Sequence, residues 1–327
     1  MSYKPPFSIT EKTVTLVADI MELITRITMN ERNEINPRLR RENRIKTIQA
    51  SLAIENNSLS IDQVTAIVNG RRVLGPGQDI REVQNAYEAY EKLLELNPFQ
   101  VDSLLTAHQV LMNELTKEAG RFRSGGVGVF AGEQLVHMAP PAHLVSEQIC
   151  ELLKWMKTTE VHPLVKSCVF HYEFEFIHPF ADGNGRMGRM WQTLILYKWK
   201  KIFGWLPVES LIKDRQDQYY KVLGRCDQEA DSAKFIEFLL QVIYDALLDL
   251  QQTEQVTVQV TEQVSKLLGV MGREPLSTIE LMNLVELKHR PTFRDNYLLP
   301  AIELGYVEMT IPDKPRSSKQ KYRKIKG

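Results

Sequence analysis

The 327-residue sequence contains only three cysteines, Cys150, Cys168 and Cys226, and no two of them stand as Cys-x-x-Cys. That spacing supports neither a disulfide framework nor a zinc cluster, and it suits buried thiols in a reducing compartment. No run of about eighteen apolar residues occurs and the opening MSYKPPFSITEK lacks an apolar stretch, which excludes a signal peptide and a spanning helix at the level of sequence. Cytoplasmic residence is the expectation. An excess of either charge is missing too: 41 Lys and Arg balance 41 Asp and Glu. That balance argues against a chain built throughout for wrapping nucleic acid or coating an anionic membrane.

Strand-like alternation is also scarce. Apolar residues, 43% of the chain, recur mostly at helical intervals and predict a mainly α protein. Helices are expected around 13–29, 38–55, 60–69, 78–96, 101–118, 143–158, 163–176, 187–200 and 232–250. Val127-Gly128-Val129-Phe130 and Gln134-Leu135-Val136-His137-Met138 flank a turn at 131–133 and read as a hairpin. A polar stretch at 251–264 reads as part of a linking helix. Beyond it, Ser277 starts a capped helix, Pro291-Thr292-Phe293-Arg294 starts another, and Tyr306 to Ile311 alternates like a strand. That order resembles a winged helix.

Val165, Cys168, Val169, Tyr172 and Phe176 fall on one helical face that Pro179 must end. Met187, Met190, Trp191, Leu194 and Ile195 form a second stripe directly after Arg186, so the loop 178–186 is clamped between two core helices. Within it Gly183 and Gly185 permit the backbone angles that turn successive N–H groups one way, a nest for phosphate. Arg186 and Arg189, three apart, share a face and present fork-like donors to anion oxygens. Cations at a helix N-terminus oppose its dipole unless an anion sits there. Asp182 offers a hard oxygen of the kind that holds Mg²⁺ against a nucleotide, and His178 is the loop's one good proton acceptor near neutral pH. A base beside a metal-bound polyphosphate points to a hydroxyl activated for attack on phosphorus. No protein nucleophile is adjacent, which favours direct in-line transfer.

His178-Pro179-Phe180-x-Asp182-Gly183-Asn184-Gly185-Arg186 followed by x-Gly188-Arg189 resembles the signature of the Fic family at every fixed position. The resemblance implies a Mg²⁺- and ATP-dependent protein adenylyltransferase, which moves AMP onto a Ser, Thr or Tyr hydroxyl of a target protein. It makes His178 the general base, Asp182 the metal ligand, Asn184 with Arg186 the grip on the α- and β-phosphates, and Arg189 the grip on the γ-phosphate. Phe180 becomes a loop anchor, and Gly183, Gly185, Met187 and Gly188 complete the ATP-binding segment. Residues 120–123 and the hairpin at 127–138 resemble the family's flap, where a target segment lies as an added strand. Tyr220, expected ahead of a helix, takes the place of an adenine contact. The implied fold is a helical Fic domain with a hairpin flap and a small C-terminal winged helix-turn-helix. Its expected organisation is an N-terminal helical region at 1–100, a catalytic core at 101–250, a linking helix at 251–270 and a winged-helix-like domain at 271–327.

Ser51-Leu52-Ala53-Ile54-Glu55-Asn56 resembles the family's inhibitory motif. Ser51 and Glu55 lie one turn apart on one helix face, and pairing of Glu55 with Arg189 would deny the γ-phosphate its grip. The resting protein is therefore expected to be self-inhibited. The same carboxylate could orient a water that strips AMP from a modified target. Two further readings stay open: transfer of another nucleotide or phospho group, and a non-enzymatic DNA-binding regulator acting through the winged helix. The last fourteen residues carry seven Lys or Arg and no acid; they suit either a solvated tail or a wing along a nucleic-acid backbone. Self-modification and a homodimer are further partner readings.

Overall fold

The computed structural model describes residues 3–30, 37–131, 134–257, 262–272, 274–315 and 317–325. Its elements in chain order are α1 (Glu11–Asn30), α2 (Pro37–Ile54), α3 (Ile61–Val68), α4 (Gly77–Leu93), α5 (Val101–Leu111), β1 (Gly128–Ala131), β2 (Gln134–Met138), α6 (Ala142–Thr158), α7 (Pro163–Ile177) and α8 (Asn184–Trp199). Then follow α9 (Val208–Asp214), α10 (Gln216–Glu229), α11 (Ala233–Thr257), α12 (Glu262–Val270), α13 (Thr278–Leu284), α14 (Arg290–Phe293), α15 (Leu299–Glu303), β3 (Val307–Met309) and β4 (Tyr322–Lys324). The mainly helical class with a hairpin is as the periodicity predicts. Among the described residues no helix is long and apolar enough to cross a membrane.

The chain divides into two compact units. The first takes the residues up to Ile24 together with Asn43–Leu248. At its centre α7 and α8 pack along each other. Pro163 occupies the first turn of α7, where its missing N–H costs nothing, and the His162 ring accepts from the Leu164 N–H at 3.3 Å. Helix α7 is buried on nearly every side rather than along one stripe: Cys168, Phe170, His171 and Phe174 are all fully enclosed, whereas Phe176, expected in the stripe, is exposed. Gly188 permits the close approach of the pair, since a Cβ there would stand 2.6 Å from Glu175 Oε1 and 3.3 Å from the His171 ring.

Two further expectations change in this unit. Helix α5 stops at Leu111, short of 118, because the Asn85 side chain of α4 donates to the carbonyls of Leu111 (3.2 Å) and Asn113 (2.7 Å) and ends the helix from outside. Tyr220, with its neighbour Tyr219, lies inside α10 and not ahead of a helix. That helix buries only Tyr219 and Cys226, two turns apart, too narrow a stripe for its period to show in the sequence. The hairpin forms with antiparallel β1 and β2, Gly128 opposite Met138; of its turn, Gly132 and Glu133 lie outside the described residues.

The second unit takes Thr25–Glu42 and the residues from Asp249 onward. Val264, Leu267, Leu281, Phe293, Leu298, Ala301 and Val307 form its core. Ser277 caps α13 and closes a reciprocal box with Glu280, as its sequence position suggests. Antiparallel β3 and β4 pair Val307 with Lys324, and Leu276 bridges Tyr322 beside them. Helix, short strand, helix, helix and two-stranded ribbon follow one another in winged-helix order. Two basic residues of the ribbon are engaged internally: Arg323 pairs with Glu308 and Lys324 donates to the Leu268 carbonyl.

Candidate active site

Loop 178–183 leaves α7 and enters α8 through two left-handed residues, His178 (φ 49°) and Gly183 (φ 82°). Arg123, buried, ties the loop to the segment before the hairpin. Its Nε donates to the His178 carbonyl at 2.7 Å, its Nη2 to the Ile177 carbonyl at 3.2 Å, and its backbone N–H to the Pro179 carbonyl at 3.0 Å. Phe180 is enclosed and stacks on the His108 ring, centroids 3.6 Å apart and planes 4° off parallel. His108 Nδ1 accepts from the Gly120 N–H at 2.9 Å, which leaves the proton on Nε2 for the Asp182 carbonyl at 3.0 Å. Burial lowers the His108 pKa to about 4, so this ring is a neutral strut. Asn184 closes the loop from the other side: its amide oxygen accepts from the Phe180 N–H and its amide nitrogen donates to the Phe180 carbonyl, each at 2.8 Å.

The His178 ring places Nδ1 3.2 Å from the Glu175 carbonyl. A carbonyl only accepts, so that nitrogen carries the proton and Nε2 is the basic one. Opposite, at the start of α8, lie the two arginines, both buried. Arg186 pairs with Glu82 of α4 through Nη1 at 3.2 Å and with Asp182 through Nη2 at 3.0 Å. Its Nε is buried without a hydrogen-bond partner. Asp182 Oδ1 also accepts from the Gly183 N–H at 2.5 Å, which orients a carboxylate that is itself 59% exposed.

Arg189 is held by the end of α2. Its Nε donates to Ser51 Oγ at 3.1 Å, and its Nη2 donates to the Ser51 carbonyl at 2.9 Å and to Glu55 Oε1 at 2.8 Å. Burial acts to lower the arginine's pKa, but the groups around it, Glu55 first and then Tyr219 and Glu175, together raise it. Glu55 reaches across the first turn of α8: a Cβ on Gly185 would stand 2.5 Å from Glu55 Oε1 and 3.0 Å from Arg189 Nη1. Thus an acid of the chain itself lies at the helix start where the sequence places an anion. Asn56, which follows it, adopts φ 68°, a left-handed turn that glycine and asparagine tolerate best.

The remaining expected residues separate into two groups. Tyr220 lies near this cluster: its hydroxyl pKa is raised by burial and then by Glu55, with Arg189 opposing. Met187 is fully buried, and Gly188 packs against α7. The side chain of Asn184 is likewise spent within the loop. Sequence reasoning did not find Glu82, His108 or Glu175. Glu175 Oε1 is buried without a hydrogen bond, and burial pushes its carboxyl up to about 7, with Arg189 opposing. None of the three sits in a recognisable motif; each acts through a partner brought by packing. The exposed Asp182 oxygens beside buried cationic forks fit a hard divalent ion bridging to a polyphosphate.

The chain is similar to known proteins over both of its units. Residues 98–196 match the Fic/DOC family, and residues 262–324 match the C-terminal domain of Fic-like (filamentation induced by cAMP) proteins. The protein adenylyltransferase fic-1 of Caenorhabditis elegans is 29% identical over 229 residues, 64% of this chain and 43% of the relative. The protein adenylyltransferase Fic of Nematostella vectensis is 30% identical over 204 residues, 59% of this chain and 45% of the relative. The chain thus spans less than half the length of these curated relatives. A solved structure of a Fic family protein from Desulfovibrio desulfuricans G20 is 54% identical, covers 99% of both chains and superposes with a TM-score of 0.77. With that likeness running end to end and the signature loop folded between α7 and α8, the chain belongs to the Fic family.

Proposed function

We propose that the chain is a protein adenylyltransferase that transfers AMP from ATP to a hydroxyl side chain of a target protein and is restrained by its own Glu55. The observation that carries this reading is the Glu55 carboxylate paired with Arg189 over Gly185. A helix start lined with N–H groups and two buried arginines is built for anions, and in the resting chain one of its cations is taken by an internal acid.

In this reading His178 Nε2 takes the proton of the target hydroxyl as its oxygen attacks the α-phosphorus; a new P–O bond forms, and the bond to pyrophosphate breaks. The left-handed turn at His178, the Nδ1 contact to Glu175 and the Arg123 clamp hold the ring in the required tautomer and place. Arg186 and the N–H groups at the start of α8 hold the phosphates, Arg189 takes the terminal one when Glu55 leaves, and Tyr220 stands on the nucleoside side. Asp182 is the residue to hold Mg²⁺, which supplies charge neutralisation on the polyphosphate. The target segment adds to the hairpin as a strand.

The test compares wild type, Glu55→Gly and Glu55→Gly/His178→Ala with α-labelled ATP and Mg²⁺, reading label on the chain itself and on lysate proteins. Label is expected to rise in Glu55→Gly and vanish in the double variant. Equal, negligible label in all three would remove the reading.

A further inference from the structure

An α-helix leaves its last four carbonyls without partners inside the helix. For α2 these belong to Ser51, Leu52, Ala53 and Ile54. Two are satisfied locally: the Leu52 carbonyl accepts from Glu55 N (3.0 Å) and Asn57 N (3.1 Å), and the Ala53 carbonyl accepts from Asn56 N (3.1 Å). With Asn56 left-handed, this is the Schellman closure. The other two are satisfied from far along the chain. Arg189 Nη2 donates to the Ser51 carbonyl at 2.9 Å, and Gln216 Nε2 donates to the Ile54 carbonyl at 3.1 Å.

The arginine belongs to the anion site. Gln216 does not, and nothing in the signature loop or the inhibitory motif points to it. It opens α10, 162 positions from Ile54. Tyr220 lies one turn further along the same helix. Ile54 directly precedes Glu55, so whatever fixes the Ile54 carbonyl fixes the point from which the Glu55 side chain reaches Arg189. One amide at the start of α10 therefore reaches the end of α2.

We propose that Gln216 is a positioning residue, a second latch that holds the last turn of α2, and with it Glu55, against Arg189. This deepens the reading of Glu55 given above and rests on it. The latch acts only through Glu55, so its removal matters only where Glu55 is present.

The experiment measures α-label incorporation from ATP by Gln216→Ala, alone and in the Glu55→Gly background, beside hydrogen exchange at the amides of Asn56 and Asn57. Gln216→Ala is expected to raise labelling about fivefold over wild type, the factor that corresponds to one net hydrogen bond of ~1 kcal/mol. In the Glu55→Gly background the same change should leave labelling unaltered, and Gln216→Lys, which restores a donor, should return the single variant towards wild type. Exchange at Asn56 and Asn57 should quicken by a similar factor in Gln216→Ala. An equal change in both backgrounds would make Gln216 a general packing residue and overturn the proposal. Active Glu55→Gly with Gln216→Ala indistinguishable from wild type would overturn it too. If Glu55→Gly incorporates no label, the transferase reading fails by itself and exchange decides the latch; unchanged exchange ends it.

Discussion

Arg186 and Glu82, 104 positions apart, form a buried ion pair with nitrogen and oxygen 3.2 Å apart. Glu82 Oε2 accepts in turn from Asn57 Nδ2 at 2.8 Å, so α4 anchors both Arg186, proposed to hold phosphate, and the segment following Glu55, the proposed inhibitory acid. Removing one partner of such a pair strands a charge in a poorly solvated place. Glu82→Ala should therefore lower stability by about 3 kcal/mol, less to the extent that Asp182 compensates, and weaken ATP binding. Urea unfolding and nucleotide titration on the same sample check both; unchanged values in each would mean that Asp182 alone suffices.

His178→Ala in the Glu55→Gly background should cut the transfer rate by about 10²–10⁴-fold, the usual worth of a positioned base. Nucleotide affinity should persist, because the proposed phosphate contacts lie on α8. Loss of binding together with rate would show that the histidine supports the loop rather than the proton transfer.

Gly185→Ala places a methyl group 2.5 Å from Glu55 Oε1 and 3.0 Å from Arg189 Nη1. In the wild-type background it should loosen the Glu55 pair. In Glu55→Gly it should still weaken ATP binding, since the methyl would occupy the place proposed for the anion. Binding by calorimetry in the two backgrounds measures this, and normal affinity in the second would put the phosphates elsewhere.

His108 carries a pH signature. Burial lowers its pKa from 6.5 to about 4, so between those values the unfolded chain binds more protons than the folded one, and stability rises with pH. Its contribution is complete above 6.5 and is lost as pH falls towards 4. Glu175, raised from 4.5 to about 7, contributes the opposite slope across its own window, so the informative quantity is a difference. Denaturation of wild type and His108→Gln between pH 4 and 7 should show the wild type losing more stability on acidification. Parallel curves would assign the acid response to other groups.

Much of the site was legible because its residues are contiguous. The glycines, the arginines three apart and the histidine before proline all follow from local backbone geometry and one helix start. Ser51 and Glu55 are readable for the same reason, being one turn apart. Tyr220 shows the limit: the sequence places it ahead of a helix, yet it lies inside α10, because a helix that buries only Tyr219 and Cys226, two turns apart, leaves no periodic trace.

What the amino-acid order determined by itself is the local chemistry: an anion nest, a proton acceptor, a carboxylate and the caps that start and stop helices, each set by angles and side chains within a turn or two. Only the tertiary structure decided which distant groups complete that chemistry. Glu82 behind Arg186, His108 beneath Phe180, Arg123 on the loop carbonyls and Gln216 on the Ile54 carbonyl are brought in by the packing of separate helices. Their partners are a ring, charges and carbonyls that each helix or loop leaves unsatisfied on its own, and which groups satisfy them is decided only when the helices meet.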